Sequence, residues 1–435
     1  MSYKIGLYTL GCKVSQYETE AIAEELMARG AEICPFDDVC DAYVINTCTV
    51  TAESDRKSRQ IIRRAIKHNP SAVVAVVGCY SQRDPKAIAK IPGVDIVIGT
   101  DNKMSVVPLV LSRLEKREDI CISVSSLEGA LFEPMTVKTA PRTRGFVKIE
   151  DGCDAKCTYC AISMARGPVR SKPKDEVIAE VEALYRSGTR EIVLTGIETG
   201  SYGKDFSDGT TLAGLICELD SRRSAERIRL GSLAPELVGE DFCEGIRGVK
   251  ILTPHFHISL QSGSNNVLRG MKRRYTREKA LDNIERLRTI MPGCQFTADL
   301  MVGFPGESEE DFLDTVDFVK RARLLDAHVF AYSKREGTPA AKLEGQIPED
   351  VKRARSRALI NTKNAVRDEV VSHRVMSGIP LNCILETYKD GSYTAHSDEF
   401  FEVSVEYPDG HEGDLVKVVP VSHKNGIIYG IVNNY

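Results

Sequence analysis

The chain has 435 residues, of which 42% are hydrophobic and 28% charged, with a formal net charge of −4 and a pI near 6.1. That balance excludes a largely disordered chain and a strongly basic nucleic-acid binder, so any contact with RNA has to come from local patches. The longest apolar run, Ala72 to Val77, falls far short of the roughly 20 residues that cross a bilayer, and Met1 to Lys13 reads as a strand rather than an export signal; a cytoplasmic protein with no membrane partner is expected.

This length predicts two or three domains. From residue 1 to 125 short apolar strands (Lys4–Leu10, Ala42–Thr47, Ala72–Gly78) alternate with amphipathic helices (Glu18–Arg29, Glu53–Lys67, Pro85–Lys90), the pattern of an open parallel α/β sheet. Each strand is followed by a cysteine: Cys12, Cys48 and Cys79. The carboxyl ends of parallel strands line one crevice, so three thiolates far apart in sequence can converge on an iron–sulfur cluster with one open iron. Gly11 and Gly78 relieve crowding beside such a cluster, and the helices that follow aim positive N-termini at it. Thirteen cysteines point to disulfides only in an oxidising compartment; here ligation is the favoured use, and Cys34, Cys40, Cys121, Cys217, Cys243, Cys294 and Cys383 read as small apolar residues.

Residues 126–141, rich in small and polar residues and proline, read as a linker. A second alternating run occupies 142–348, with strands at Phe146–Glu150, Glu191–Gly196, Ile228–Ser232, Phe256–Leu260, Gln295–Val302 and His328–Tyr332 and helices including Asp175–Ser187, Arg277–Thr289 and Glu309–Ala322. Six strand–helix units predict a partial TIM-type (β/α)6 barrel with its chemistry at the strand C-termini. At the first of these ends stand Cys153, Cys157 and Cys160, spaced CxxxCxxC. Three ligands leave one iron of a [4Fe–4S] cluster open for a substrate or cofactor, whereas structural zinc asks for paired CxxC units and a fourth ligand. The loop resembles that of radical S-adenosylmethionine (SAM) enzymes, where the open iron holds the amino and carboxylate groups of SAM and Tyr159 would lie near its adenine. Gly196 and Glu198 end the second strand, Ser259 and Gln261 the fourth; these four are candidate SAM contacts, with Arg166, Arg274 and Asp299 as charged partners.

Residues 349–375 read as a long helix bearing Lys352, Arg353, Arg355, Arg357, Lys363, Arg367 and Arg374. The remainder, 376–435, alternates in a β pattern with turns at Lys389-Asp390-Gly391 and Pro408-Asp409-Gly410, predicting a small antiparallel barrel. It carries three lysines against nine acidic residues, a net of −6, so it cannot rely on phosphate attraction. The basic helix and the Arg and Lys residues around the barrel mouth are therefore expected to position RNA, with Phe400, Phe401 or His396 available for stacking.

Taken together, Thr9-Leu10-Gly11-Cys12-Lys13-Val14, Asn46-Thr47-Cys48, Gly78-Cys79, the CxxxCxxC loop, Ala165-Arg166-Gly167, His257 to Gly263, Arg273-Arg274-Tyr275-Thr276 and Val302 to Glu307 resemble the radical SAM methylthiotransferases over nearly the whole chain. Gly11 to Glu20 is similar to the bacterial branch that acts on N6-threonylcarbamoyladenosine next to the tRNA anticodon, while Ser15, Ala331 and Glu198 depart from that pattern. The resemblance implies a cluster domain, a radical SAM barrel and a C-terminal TRAM barrel, with two [4Fe–4S] clusters and two uses of SAM. The cluster on Cys12, Cys48 and Cys79 would carry sulfur methylated by one SAM; that on Cys153, Cys157 and Cys160 would cleave a second, and the radical would activate C2 of adenine. A low-potential donor such as flavodoxin or ferredoxin would supply electrons. Competing readings are a related substrate, isopentenyladenosine in tRNA or an aspartate of a ribosomal protein, and an iron–sulfur or zinc protein that binds RNA without chemistry.

Overall fold

A computed structural model describes residues 2–140 and 143–433. In the N-terminal domain six parallel strands lie in the order Glu32–Cys34, Lys4–Thr9, Ala42–Thr47, Val73–Gly78, Ile96–Ile98 and Cys121–Ser123. Ala42–Thr47 and Val73–Gly78 are buried along their whole length, as apolar strands covered by helices on both faces must be. Because the first strand lies between the second and third, the chain switches sides beside it, and the crevice that opens at such a point is where open α/β sheets hold ligands. Helix Lys13–Ala28 starts five residues before the periodicity predicts, because Cys12 itself is extended and caps it. The three-residue strands were invisible in the sequence, since so short a run shows no alternation.

The predicted linker has no helix or strand but is tied down. Leu127, Met135 and Val137 are buried, Tyr17 Oη donates to Met135 O at 2.8 Å, and Val137 N donates to a Glu180 carboxylate oxygen at 2.6 Å. Pro141, which ends the predicted linker, and Arg142, which opens the predicted barrel, lie outside the described residues, as do Met1, Asn434 and Tyr435 of the outer domains.

The six barrel strands run Arg144–Lys148, Glu191–Thr195, Arg227–Leu230 continued by Ser232–Leu233, His255–Gln261, Gln295–Val302 and Asp326–Ala331, every adjacent pair parallel. The third strand breaks at Gly231, dividing the wall into two sheets. The barrel does not close, and helix Lys13–Ala28 of the N-terminal domain lies against its first strand.

The C-terminal segment forms a closed five-stranded barrel ordered Leu381–Lys389, Ser392–Ser397, Glu402–Glu406, Ile427–Val432, Leu415–Lys424. It is not wholly antiparallel: Glu402–Glu406 and Ile427–Val432 pair in parallel, because the last hairpin brings the chain back beside the third strand in the same direction. Phe401 is core, and Phe400 stacks on His255 with ring centroids 4.3 Å apart beneath the Arg229 guanidinium, while His396 Nδ1 contacts Glu386 at 3.0 Å. These rings join the two barrels and do not offer free faces to bases.

Helix Glu349–Met376 likewise differs from its expected role. Arg355 pairs with buried Glu307 (2.7 Å), Lys363 with Asp326 (2.5 Å), Arg367 with Asp326 and Glu402 (3.6 and 3.4 Å), Arg374 with Glu399 (3.1 Å), and Lys352 with Glu349. Its cations staple the six-stranded barrel to the C-terminal barrel, and of the seven only Arg353 and Arg357 are exposed. Arg355→Ala, which leaves Glu307 buried without its partner, should cost about 3 kcal/mol in denaturant unfolding, whereas Arg353→Ala should stay within about 0.5 kcal/mol.

Candidate active site

Cys12 caps its helix, Cys48 follows strand Ala42–Thr47, and Cys79 opens the short helix Cys79–Arg83. Register brings them together: Thr9 pairs with Asn46, and Thr47 with Gly78. A side chain on Gly11 would stand 3.5 Å from Cys48 Sγ, so the residue before Cys12 abuts the second cysteine. Gly78 has φ +98°, and a Cβ there would meet Thr47 O at 2.8 Å and the Asn46 amide, so only glycine turns this strand sharply into the helix that carries Cys79. Ser15 Oγ lies 3.8 Å from Cys12 Sγ, and the Asn46 amide donates to Ser15 O at 2.9 Å.

Behind this triad sits a fully buried ion cluster. Glu18 accepts from Arg166 (2.5 Å), Lys103 (2.8 Å) and Lys148 (3.0 Å); Asp151 accepts from Lys148 (2.7 Å) and Arg166 (3.1 Å). Burial alone would raise the Glu18 carboxyl, but Arg166, Lys103 and Lys148 hold it well below the usual range. Glu18 and Lys103 belong to the N-terminal domain; Lys148, Asp151 and Arg166 to the barrel. Arg166 also donates from Nε to Cys79 Sγ at 3.1 Å. Expected as a charged partner of SAM, Arg166 is instead engaged by Cys79 and two carboxylates at the other triad.

Cys153, Cys157 and Cys160 occupy the loop after the first barrel strand. Cys153 N donates to Gly167 O at 3.0 Å, Thr158 N to Met271 O at 3.1 Å, and Ile162 N to Cys160 Sγ at 3.4 Å. From this loop runs helix Ile162–Arg166, which packs on Cys79–Arg83. One short helix therefore has the CxxxCxxC loop at its start and, through Arg166, the Cys79 thiol at its end. The two triads thus lie at opposite ends of this helix.

Arg273, which the sequence did not single out, donates to Cys157 Sγ at 3.4 Å and to Ser259 O at 2.8 Å, and lies over the Tyr275 ring. Its neighbour Arg274, the expected contact, is exposed and reaches only Asp154 O, at 3.3 Å. Adjacent arginines are indistinguishable in sequence, and the turn before helix Arg277–Ile290 decides which faces inward. Gly196 is required, but for Glu150: a Cβ there would stand 2.5 Å from that carboxylate. Glu150 accepts from Glu198 N at 2.9 Å, and Glu198 accepts from Ala234 N at 2.9 Å. Burial, opposed by the Ala234 N–H and Arg273, pushes Glu198 up to about 7. Gln261, at a bulge with φ +68°, and Glu150 each hold a buried side-chain oxygen without a hydrogen-bond partner. Tyr159 is half-buried against Met271, Met301, Phe304 and Tyr332. Asp299 is not at a strand end; within strand Gln295–Val302 it lies between His257 (3.2 Å) and His328 (3.4 Å), in a chain that continues through Thr297 to His255.

The donor sets suit clusters. All thirteen cysteines are free. Burial pushes Cys153 up to about 12 and Cys79 up to about 11, the latter against the pull of Arg166. Buried thiols of this kind ionise when a metal takes the proton's place. Among the described residues no three His, Cys, Asp or Glu side chains close to the spacing of a single metal ion. The orphaned oxygens of Glu150 and Gln261 beside the second triad fit a ligand rich in hydrogen-bond donors, as the ammonium and ribose of SAM are. Of the other cysteines, Cys40, Cys243, Cys294 and Cys383 are buried; Cys34 and Cys121 are half-exposed and Cys217 is exposed, contrary to their reading as core.

A model of the radical SAM superfamily matches residues 147–319, and one described as uncharacterized protein family UPF0004 matches residues 4–99. The chain is 41% identical to the threonylcarbamoyladenosine tRNA methylthiotransferase MtaB of Bacillus subtilis, covering 95% of this chain and 93% of that one. To the protein of the same name from Aquifex aeolicus it is 38% identical over 84% and 89%. To the tRNA-2-methylthio-N(6)-dimethylallyladenosine synthase of Carboxydothermus hydrogenoformans it is 34% identical over 84% of each. Among solved structures, the radical SAM methyltransferase TsrM of Kitasatospora setae shares the fold, with a TM-score of 0.58, 17% identity, and coverage of 78% of this chain and 77% of that one.

Glu198 gives the protein a pH signature. A carboxyl raised from 4.5 to about 7 binds its proton more tightly when folded, so its contribution falls as pH climbs through that window. Glu198→Gln, which keeps the oxygen facing Ala234, should gain on the wild type by about 2.5 kcal/mol between pH 5 and pH 8 in unfolding of the metal-free protein. Parallel curves for the two proteins would show that Glu198 does not titrate there.

Proposed function

The chain belongs to the radical SAM tRNA methylthiotransferases, and on that premise we propose that it attaches a methylthio group to C2 of N6-threonylcarbamoyladenosine next to the tRNA anticodon. The observation that supports the chemistry is a guanidinium on one thiol of each cysteine triad, Arg166 on Cys79 and Arg273 on Cys157, with helix Ile162–Arg166 running between them. Cys153, Cys157 and Cys160 would hold a [4Fe–4S] cluster that supplies the 5′-deoxyadenosyl radical from SAM, and Cys12, Cys48 and Cys79 a second that supplies the sulfur. Around the first triad, the Glu198 carboxylate would accept from the SAM ammonium, Ser259 and Gln261 would take its ribose and carboxylate, and Tyr159 would flank the adenine, with Gly196 admitting Glu150 beneath them. Glu18, Asp151 and the three cations between them exclude water behind Cys79. Exposed Arg269, Lys272 and Arg274 at the barrel rim supply local positive charge for tRNA. A flavodoxin or ferredoxin would deliver the electrons.

The choice of N6-threonylcarbamoyladenosine follows the relatives of that name, which are 36–41% identical over at least 84% of the chain. In a strain lacking the gene, mass spectrometry of tRNA nucleosides should show loss of 2-methylthio-N6-threonylcarbamoyladenosine and accumulation of its precursor. Loss of the isopentenyladenosine derivative, or of a ribosomal aspartate modification, would move the substrate instead. The division of labour has its own check. Cys157→Ala should abolish SAM cleavage, while Cys48→Ala should still cleave SAM without forming product, each variant retaining about four of eight irons; equal loss of cleavage in both would overturn it.

A further inference from the structure

We propose that helix Ala52–His68 is the surface on which the phosphodiester backbone of the RNA substrate lies, an inference that rests on the tRNA reading above. The helix is amphipathic: Ser58, Ile62 and Ala65 face the core. Opposite them Arg56, Lys57, Arg63, Arg64 and Lys67 are all exposed and, at steps of one, four and seven residues, fall on one stripe. Arg56 pairs with Glu53 of the same helix and Arg64 with Asp37. Lys57, Arg63 and Lys67 have no ion pair among the described residues.

Position ties this stripe to Cys48. Ser58 Oγ donates to Cys48 O at 3.4 Å, three residues before the Thr51 cap. Ala52 N donates to Ser333 Oγ at 3.2 Å, and Arg335 donates to Asp55 at 2.6 Å and to Thr49 at 2.8 Å, fixing the helix start to the loop after the last barrel strand. From that mouth its 17 residues carry positive charge outward for about 25 Å. Two other elements considered for RNA are poorly suited: the C-terminal barrel has an excess of acid, and five of the seven cations on helix Glu349–Met376 are held by carboxylates. Flexible cations on an exposed helix neutralise phosphates and fix register without reading bases. An acidic redox protein could meet the same charge, but a stripe of this length starting beside Cys48 matches an extended polyanion better.

The test uses the full-length, cluster-reconstituted enzyme and an anticodon stem-loop RNA, with binding followed by fluorescence anisotropy between about 50 and 200 mM salt. Lys57→Gln/Arg63→Gln/Lys67→Gln should weaken binding about tenfold or more and flatten the slope of log Kd against log salt by about two to three. RNA-free SAM cleavage driven by dithionite should not change, and Arg353→Gln/Arg357→Gln should leave Kd within about twofold. An unchanged Kd and slope in the triple variant would overturn the surface alone, whereas a wild-type enzyme that binds no RNA would sink the tRNA reading with it. Intact RNA binding together with loss of flavodoxin-driven, but not dithionite-driven, cleavage would also overturn the proposal and make the stripe a protein-docking face.

Discussion

The buried contact of Glu18 and Asp151 with Arg166, Lys148 and Lys103 is the constraint on which the rest of the structure depends. Removing so many charges from water is costly, and the cost is offset only while every partner is in place. Because the partners come from two domains, the cluster is complete only when the N-terminal sheet sits on the barrel in one orientation. That orientation places Cys79 against Arg166 and, through a single helix, against the CxxxCxxC loop. An apolar interface of the same size would hold the domains together without fixing them so narrowly.

Both triads receive a guanidinium, in different surroundings. Arg166 stands among carboxylates and lysines with no access to water; Arg273 stands beside Tyr159, Tyr275 and Glu198, whose carboxyl burial raises. The first setting is rich in fixed charge and the second poor in it. The same donor, an Arg N–H to a cysteine sulfur, thus acts on two thiols with different electrostatics.

Charge is distributed by function rather than by composition. Helix Glu349–Met376 carries seven Lys and Arg residues, yet those that face its neighbours meet Glu307, Asp326, Glu399 and Glu402 and hold the two barrels together. Helix Ala52–His68 has fewer neighbouring acids, and Lys57, Arg63 and Lys67 remain exposed with no ion pair among the described residues. A net charge of −4 conceals both facts, because it sums paired and unpaired residues alike.

The sequence by itself determined the parallel α/β pattern, the six barrel strands and the small C-terminal β-barrel, and it set three cysteines after strands of the first sheet and three more after the first barrel strand. Those features are written in local periodicity and in cysteines that follow strands, and both survive folding unchanged. Gln295–Val302 and Glu309–Ala322 even have the predicted limits, because turn and capping residues mark their ends. Only the tertiary structure decided that Arg166 serves Cys79, that Arg273 rather than Arg274 turns inward, that Asp299 is held by two histidines, and that Gly196 makes room for Glu150. Lys148, a charge set between Val147 and Ile149 in the strand pattern, was a local sign of the buried ion cluster. The reason is the same in each case: a charged side chain's role depends on which opposite charge or thiol lies within a few ångströms, and those partners come from residues tens to hundreds of positions away.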